Sequence, residues 1–150
     1  MTGFDGHGSA AGQPERDDHD GRIGVWLIGG RGSIGVTTAV GIHAIATGLA
    51  GLTGCVTATG ELAHQPLIGV DRMVLGGHDI GATPVAVRAD HLAAAGMLSP
   101  ALVDGVREGL AAFEAEVRPG VSAYEQGAQA AVLDRLTADL TGFAARHDLA

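Results

Sequence analysis

A glycine-rich hexapeptide has the residue types and spacing best suited to chemistry. Residues 30–35 form a G-x-G-x-x-G pattern, Gly30-Arg31-Gly32-Ser33-Ile34-Gly35, between an apolar run and a helical segment. In that position Gly30 permits a tight turn, Gly32 lets the backbone approach a pyrophosphate, and Gly35 lets the helix pack close to the strand. The N–H groups at the helix start then bind the anion. A chain with 25 glycines can contain this pattern by chance. The position of the pattern between a strand and a helix is therefore what predicts a dinucleotide-binding loop. The alternative is a plain tight β–α turn.

The same glycines also fit the spacing of a P-loop. Gly30 and Gly35, followed by Val36 and Thr37, read G-x-x-x-x-G-x-[ST], with Val36 at the position of the lysine. That lysine supplies the charge that binds the β- and γ-phosphates. All nine basic residues of this chain are arginines. A Schiff-base lysine and a lysine general acid are therefore excluded within the chain, and kinase or ATPase chemistry is disfavoured.

A Rossmann dinucleotide site also needs an acid at the end of the second strand, to hold the adenosine ribose hydroxyls. Asp79 follows an apolar strand, but it lies 44 residues after Gly35, whereas the usual gap is about 20 residues. We expect the loop-like stretch 50–70 to be an insertion that accounts for the difference. Glu61 is the nearer alternative, although no clear strand precedes it. A helix-capping or loop role for Asp79 also remains open.

Metal and nucleophile chemistry have weaker signals. His78 beside Asp79 would suit a metal-dependent hydrolase, but the candidate partner histidines form no ligand-like pair: His43, His64 and His91. Cys55 is the single cysteine, which excludes a disulfide framework or a cysteine-based zinc site within the chain. We interpret it as a small buried residue, because no base is spaced to activate it. We predict no metal site and no catalytic residue.

The elements that position these residues are predicted from apolar patterning. Strands are expected at 22–29 and from Arg72 to Asp79, with a doubtful third at 55–57. Helices are expected over Ser33–Leu49, from Thr83-Pro84 to Gly96, from Ser99-Pro100 to about Val117, and over 123–147, with a break at 118–120. This order predicts an α/β fold, a partial Rossmann-like parallel sheet with helices. Two strands make a small platform, so we expect an incomplete domain.

Composition bounds the class of protein. The 150 residues suit one domain, and 46% hydrophobic with 17% charged residues allows a buried core. Residues 1–21 are Gly-rich and acidic without apolar periodicity, so we predict a disordered arm before a domain at 22–150. The net charge of −8 argues against a nucleic-acid partner. No signal peptide and no apolar run of about 20 residues is visible, so we expect no membrane association and a cytoplasmic location.

Three segments carry a family resemblance: 24–41, GVWLIGGRGSIGVTTAVG; 51–57, GLTGCVT; and 73–80, MVLGGHDI. Together they resemble the N-terminal part of inositol-3-phosphate synthases, most of all bacterial members of the branch that also holds the eukaryotic enzymes. In that family a first strand leads into a glycine-rich NAD loop, and a later strand ends in a glycine-aromatic-aspartate segment. The latter reads Gly77-His78-Asp79 here, and Gly96-Met97-Leu98-Ser99-Pro100 matches a further Gly-hydrophobic-Leu-x-Pro step.

The resemblance implies an NAD-dependent isomerase that converts glucose 6-phosphate into 1D-myo-inositol 3-phosphate by oxidation, aldol cyclisation and reduction. It implies that residues 30–34 line the NAD pyrophosphate and that Asp79 binds the adenosine ribose. The family's phosphate-binding and proton-transfer residues, lysines among them, lie beyond the length of this chain. We therefore expect an NAD-binding segment that is inactive by itself, from a protein that forms homo-oligomers. The alternatives are an NAD(P)-binding module of another dehydrogenase and a non-catalytic remnant.

Overall fold

The structure, a computed structural model, describes residues 21–65, 67–123, 125 and 127–149. The predicted disordered arm lies outside the described residues except for Gly21. The helices and strands follow in the order β1 (Ile23–Ile28), α1 (Ser33–Ala46), β2 (Met73–Asp79), α2 (Val85–Ala94), α3 (Pro100–Gly105), α4 (Arg107–Ala115), β3 (Val117–Pro119) and α5 (Gln129–His147). Short 3-10 turns occupy Val56–Ala58, Gly60–His64 and Val70–Arg72.

The three strands form one parallel sheet in the order β1-β2-β3. Ile23 pairs with Met73 at the start of β1, and the register continues to Ile28 opposite His78. β3 pairs with the last residues of β2, from Gly77 opposite Val117. The predicted α/β class, a partial Rossmann-like parallel sheet with helices, is therefore confirmed.

The core lies between one face of the sheet and the helices of the two crossovers. Leu75 of β2 and Val117 of β3 are buried there, against side chains of α1, α2, α3 and α4: Val36, Val40, Val85, Leu92, Val103, Leu110 and Phe113. Neighbouring strand residues point to opposite faces. Val36 and Phe113 are almost completely buried, so these helices cover this face closely.

Helix α5 covers the opposite face. Its one buried residue, Phe143, lies edge-on to Trp26 with ring centroids 5.0 Å apart. Gly76 leaves the room for this contact, since a Cβ there would lie 2.6 Å from the Trp26 ring and 2.9 Å from the Phe143 ring. After α5, Leu149 forms an isolated parallel bridge with Arg22. The helices that precede β3 thus lie on one face of the sheet and α5 lies on the other, and the chain after α5 returns to the start of β1.

Two sequence-based boundaries were wrong because tertiary pairing decided them. Residues 118–120 were expected to be a break, but β3 forms there because the edge of β2 offers a partner for its backbone. The single helix expected from Ser99 to Val117 is divided at Val106, whose side chain is 2% exposed in the core. Core packing fixes the direction of α3 and α4 separately.

Three smaller expectations also differ. The doubtful strand at 55–57 is a 3-10 turn at Val56–Ala58. Helix α5 begins at Gln129 instead of 123, after Gly127 at a φ of +157°. The sequence pattern predicts Thr83 at the N-cap of α2 and Pro84 at its first helical position, but Pro84 itself occupies the N-cap, because its ψ of 149° is extended. Among the described residues, no helix has the length and apolar character needed to cross a membrane.

Candidate functional site

The glycine loop leaves the carboxyl end of β1 and enters α1 through a tight turn. The positive φ of this turn, +83°, belongs to Gly29, so the conformation assigned to Gly30 from the sequence lies one residue earlier. The Gly29 N–H donates to the His78 carbonyl at 2.7 Å, which ties the turn to β2. Gly30 is buried below the loop, where a Cβ would lie 3.0 Å from the Phe113 ring.

Gly35 and Gly32 have the close backbone approaches that the pattern requires. A Cβ at Gly35 would lie 2.7 Å from the Gly30 oxygen and 2.8 Å from the Gly29 oxygen, so α1 contacts the loop backbone directly. Gly32 is the N-cap of α1, with φ −72° and ψ 163°, and a Cβ there would lie 3.0 Å from the Gly29 oxygen. The backbone of the loop is therefore accessible at Gly32 and closely packed at Gly35.

An open cleft of about 460 Å³ lies beside the loop, lined by Leu27, Ile28, Gly29, Gly32, Ser33, Ile34, Gly35 and Thr38. No side chain of the described residues caps the start of α1. The N–H groups of the first turn have no helical carbonyl to bind, and the helix dipole makes this end positive. The cleft can therefore bind an anion through backbone groups.

Asp79 lies outside that cleft, at the end of β2, and contacts the loop at Arg31. The Arg31 backbone N–H donates to Asp79 Oδ2 at 2.7 Å, although the two residues are 48 positions apart. The Gly81 N–H donates to Asp79 Oδ1. The structure therefore brings Asp79 to the glycine loop, in a loop-bracing role. Each carboxylate oxygen keeps a second lone pair, so Asp79 can still accept hydrogen bonds from a ligand.

The Arg31 side chain turns toward α4. Its Nε and Nη2 donate to Glu114 Oε1 at 3.0 and 2.6 Å, and this hydrogen-bonded pair raises the pKa of the Arg31 guanidinium above its usual value. Arg31 does not line the cleft: its backbone N–H binds Asp79, and its guanidinium binds Glu114. Glu114 was missed by the sequence analysis, and no motif or spacing across 83 residues could have indicated it.

The fold does not assemble the alternative sites considered from the sequence, which are a P-loop, a ribose site at Glu61 and a metal site. Val36, at the lysine position of a P-loop, is fully buried in the core and cannot reach a phosphate at the loop. Glu61 is exposed in the 3-10 turn Gly60–His64. No group of three His, Cys, Asp or Glu side chains in the described part of the chain could hold a metal ion.

His78 has a structural environment that its sequence position did not reveal. Its side chain is 5% exposed. Trp26 Nε1 donates to His78 Nδ1 at 3.0 Å, so the neutral ring carries its proton on Nε2, which contacts Asp139 Oδ2 at 3.0 Å. Both ring nitrogens are thus occupied, which removes the support for His78 as a metal ligand. The indole N–H of a strand tryptophan was the available signal, since such groups usually find a partner when buried.

The seven predicted cofactor-binding residues therefore divide into three groups. Gly32, Ser33, Ile34 and Gly35 line the cleft. Gly30 lies beneath the loop, and Asp79 meets the backbone of Arg31 on the β2 side. In comparisons with known proteins, no family model and no curated protein matches the chain. The chemistry of the site therefore rests on its own geometry.

Proposed function

We propose that the chain binds NAD at residues 30–35 and Asp79, as the nucleotide-binding part of an inositol-3-phosphate synthase-like enzyme. One observation carries the proposal: Asp79 at the end of β2 is hydrogen-bonded to the glycine loop that follows β1. Loop and acid are the two parts that a dinucleotide needs, one for the pyrophosphate and one for the ribose. The local likeness of residues 24–41 and 73–80 to the synthase family supports the particular enzyme.

The position of the loop in the sheet supports a nucleotide ligand. Ligands of open α/β sheets bind beyond the carboxyl ends of the strands, where the connections change direction. Here the crossover helices of β1–β2 and β2–β3 lie on one face, and α5 lies on the other. The glycine loop at the end of β1 lies where the connecting helices change from one face of the sheet to the other.

The residues present fit NAD. A side chain at Gly32 would occupy the space in which a pyrophosphate must approach the loop backbone, and the uncapped start of α1 supplies the N–H groups that bind it. Asp79 has free lone pairs for the 2′- and 3′-hydroxyls of the adenosine ribose. A 2′-phosphate would place a second negative charge beside this carboxylate, so NAD is preferred to NADP.

In the proposed enzyme, NAD supplies the oxidation of a hydroxyl of glucose 6-phosphate and returns the hydride after ring closure. The role of this chain's residues is to hold and orient the cofactor. We assign no described residue to the sugar phosphate or to proton transfer. The 150-residue chain by itself therefore binds NAD without forming inositol phosphate, and the proposed enzyme acts as a homo-oligomer.

Calorimetric titration of the 150-residue chain with NAD tests the proposal, with a parallel assay for inositol phosphate from glucose 6-phosphate and NAD. We expect saturable NAD binding and no turnover. Absence of NAD binding would refute the proposal and favour a non-catalytic remnant. Turnover well above background would show that the chain does supply catalytic groups.

A further inference from the structure

The carboxylate of Glu114 joins three parts of the structure beside the proposed ribose site. Its Oε1 accepts two hydrogen bonds from Arg31, at 3.0 and 2.6 Å. Its Oε2 accepts from the backbone N–H of Val85, the first residue of α2, at 2.7 Å. The glycine loop, α2 and α4 therefore meet at one side chain.

The Arg31 guanidinium is held next to Asp79 with three of its five N–H donors already bound. Its Nη1 donates to the carbonyl of Gly81, two residues after Asp79, at 3.2 Å, and the charge of Asp79 adds to the rise in the pKa of Arg31. Nε and Nη2 form the edge of the guanidinium that could bind a phosphate through two hydrogen bonds, but both donate to Glu114. Two carboxylates thus share one cation, and the local charge is negative.

We propose that Glu114 is a positioning residue that makes the site select NAD over NADP, by engaging the guanidinium of Arg31. This inference rests on the proposed function of the glycine loop and Asp79. An adenosine 2′-phosphate bound beside Asp79 would need a cation, and a bidentate arginine is the side chain best suited to it. As long as Glu114 holds Arg31, the edge of the guanidinium formed by Nε and Nη2 is not offered to a phosphate there.

The experiment compares the dissociation constants of NADP and NAD for the full chain and its variants. Glu114→Gln keeps an oxygen for the Val85 N–H but removes the charge that holds Arg31. The NADP-to-NAD ratio of dissociation constants should then fall about tenfold, as expected for one charge-assisted contact. The double variant with Glu114→Gln and Arg31→Met should return the ratio to the wild-type value, because it lacks the arginine that Glu114→Gln releases.

A matched control removes a carboxylate from another arginine. Asp104 accepts hydrogen bonds from Nε and Nη2 of Arg107 at 3.0 and 2.8 Å. Asp104 lies in α3. The end of α3 contacts Leu49, which follows the carboxyl end of α1, whereas the glycine loop precedes the amino end of that helix. Asp104→Asn should leave the cofactor ratio unchanged.

The outcomes separate this inference from the function on which it rests. A wild-type chain that binds NAD, together with an unchanged ratio in Glu114→Gln, overturns the role of Glu114 alone. A wild-type chain that binds neither cofactor overturns both proposals. If circular dichroism shows that Glu114→Gln does not fold, Arg31→Met decides by itself. That variant leaves Glu114 uncompensated, so the ratio must rise, and an unchanged or lower ratio refutes the inference.

Discussion

At the scale of single residues, the glycines of the loop act through what a side chain would meet. At Gly35 a Cβ would overlap two backbone oxygens, at 2.7 and 2.8 Å, and neither oxygen can move without reshaping the turn. At Gly32 the single close contact is 3.0 Å, and the backbone angles suit any residue. Gly35 is therefore required by the fold, whereas Gly32 leaves space at the cleft for a ligand.

Gly32→Val should abolish NAD binding without unfolding the chain. The branched side chain would stand where a pyrophosphate approaches the backbone, and the extended conformation at this position tolerates it. Calorimetric titration should show no NAD binding, with the circular dichroism spectrum retained. Gly41→Val is the matched control, since a Cβ at Gly41 on the same helix meets nothing within 4 Å. Unchanged NAD affinity in Gly32→Val would place the nucleotide elsewhere.

Asp79→Ser should weaken NAD binding and leave NADP binding the same or stronger. In the proposed site the carboxylate would contribute charge-assisted hydrogen bonds of about 1.5–3 kcal/mol each to the ribose hydroxyls, and it would repel a 2′-phosphate. Paired titrations of wild type and variant with both cofactors measure the change in preference. A wild type that prefers NADP, or a variant with the same preference, would mean that Asp79 is not the ribose acid. Glu61→Ser serves as the control, because Glu61 lies in a separate 3-10 turn.

At the scale of elements, partly buried hydrogen bonds join α5 to the sheet. Trp26 of β1, His78 of β2 and Asp139 of α5 form a continuous chain, with both bonds at 3.0 Å. Helix α5 buries only Phe143 among its described side chains, so apolar burial alone holds it weakly. The polar chain therefore fixes where α5 lies on its face, and the His78 carbonyl carries that constraint to Gly29.

A double-mutant cycle on Trp26 and His78 should detect this chain of hydrogen bonds. Trp26→Phe removes the N–H donor and leaves His78 Nδ1 without its partner, which we expect to cost about 1–3 kcal/mol of unfolding free energy. In a His78→Phe background the same change should cost less, because no acceptor is left unpaired. Urea denaturation of the four proteins gives the coupling energy. Additive effects of the two substitutions would show that the bond contributes nothing to stability.

Glu116 connects the end of α4 with the end of α5. Arg146 donates to it at 2.7 Å, His147 lies 3.0 Å away, and Arg118 is 3.3 Å away. The hydrogen bond from Arg146 is the main reason that the pKa of Glu116 lies below 4.5 in the folded chain, and His147 adds to it. The unfolded chain therefore binds the proton first as the pH falls.

This contact predicts an acid-dependent loss of stability. The contribution of Glu116 should be complete above its unfolded pKa of about 4.5 and should disappear as the pH falls through the lower folded value. The difference in unfolding free energy between wild type and Glu116→Gln should shrink over that range. Urea denaturation at a series of pH values measures it, with the exposed Glu108→Gln as control. A difference that is constant with pH would contradict the assignment.

At the scale of the whole molecule, a three-stranded sheet leaves much apolar surface open. The core occupies one side, under the crossover helices. Large apolar side chains are exposed elsewhere, both at the glycine loop and on distant elements: Ile28, Ile34, Val56, Ile80 and Leu133. Such surface favours association in water.

The chain should therefore either form oligomers as its concentration rises or remain a loosely packed monomer. Sedimentation velocity over a concentration series should show oligomers or a loosely packed monomer. Leu133→Glu on α5 should reduce association, because Leu133 is 64% exposed and apolar. Ala130→Glu, at an exposed position of the same helix, adds an equal charge as control. A monomer with a sharp, cooperative and concentration-independent unfolding transition would refute this prediction.

The sequence by itself determined the class of fold and the position of the loop. The apolar, β-branched run 23–28 and the glycines after it specify a strand and a close strand–helix turn through local sterics. The burial expected of that strand was wrong, because β1 has no buried residue among its six. The strand that ends at Asp79 and the helices at α1 and α5 are likewise visible in local periodicity. These features depend on neighbouring residues, which is why patterning finds them.

Only the tertiary structure decided which distant residues meet. The edge of β2 turned residues 117–119 into a strand, although their sequence favours a break. The 48-residue contact between Arg31 and Asp79 and the 83-residue contact between Arg31 and Glu114 depend on how the helices pack on the sheet. The pairing of Trp26 with His78 depends on strand register. Contacts between separate elements leave no spacing in the sequence, because packing sets their geometry.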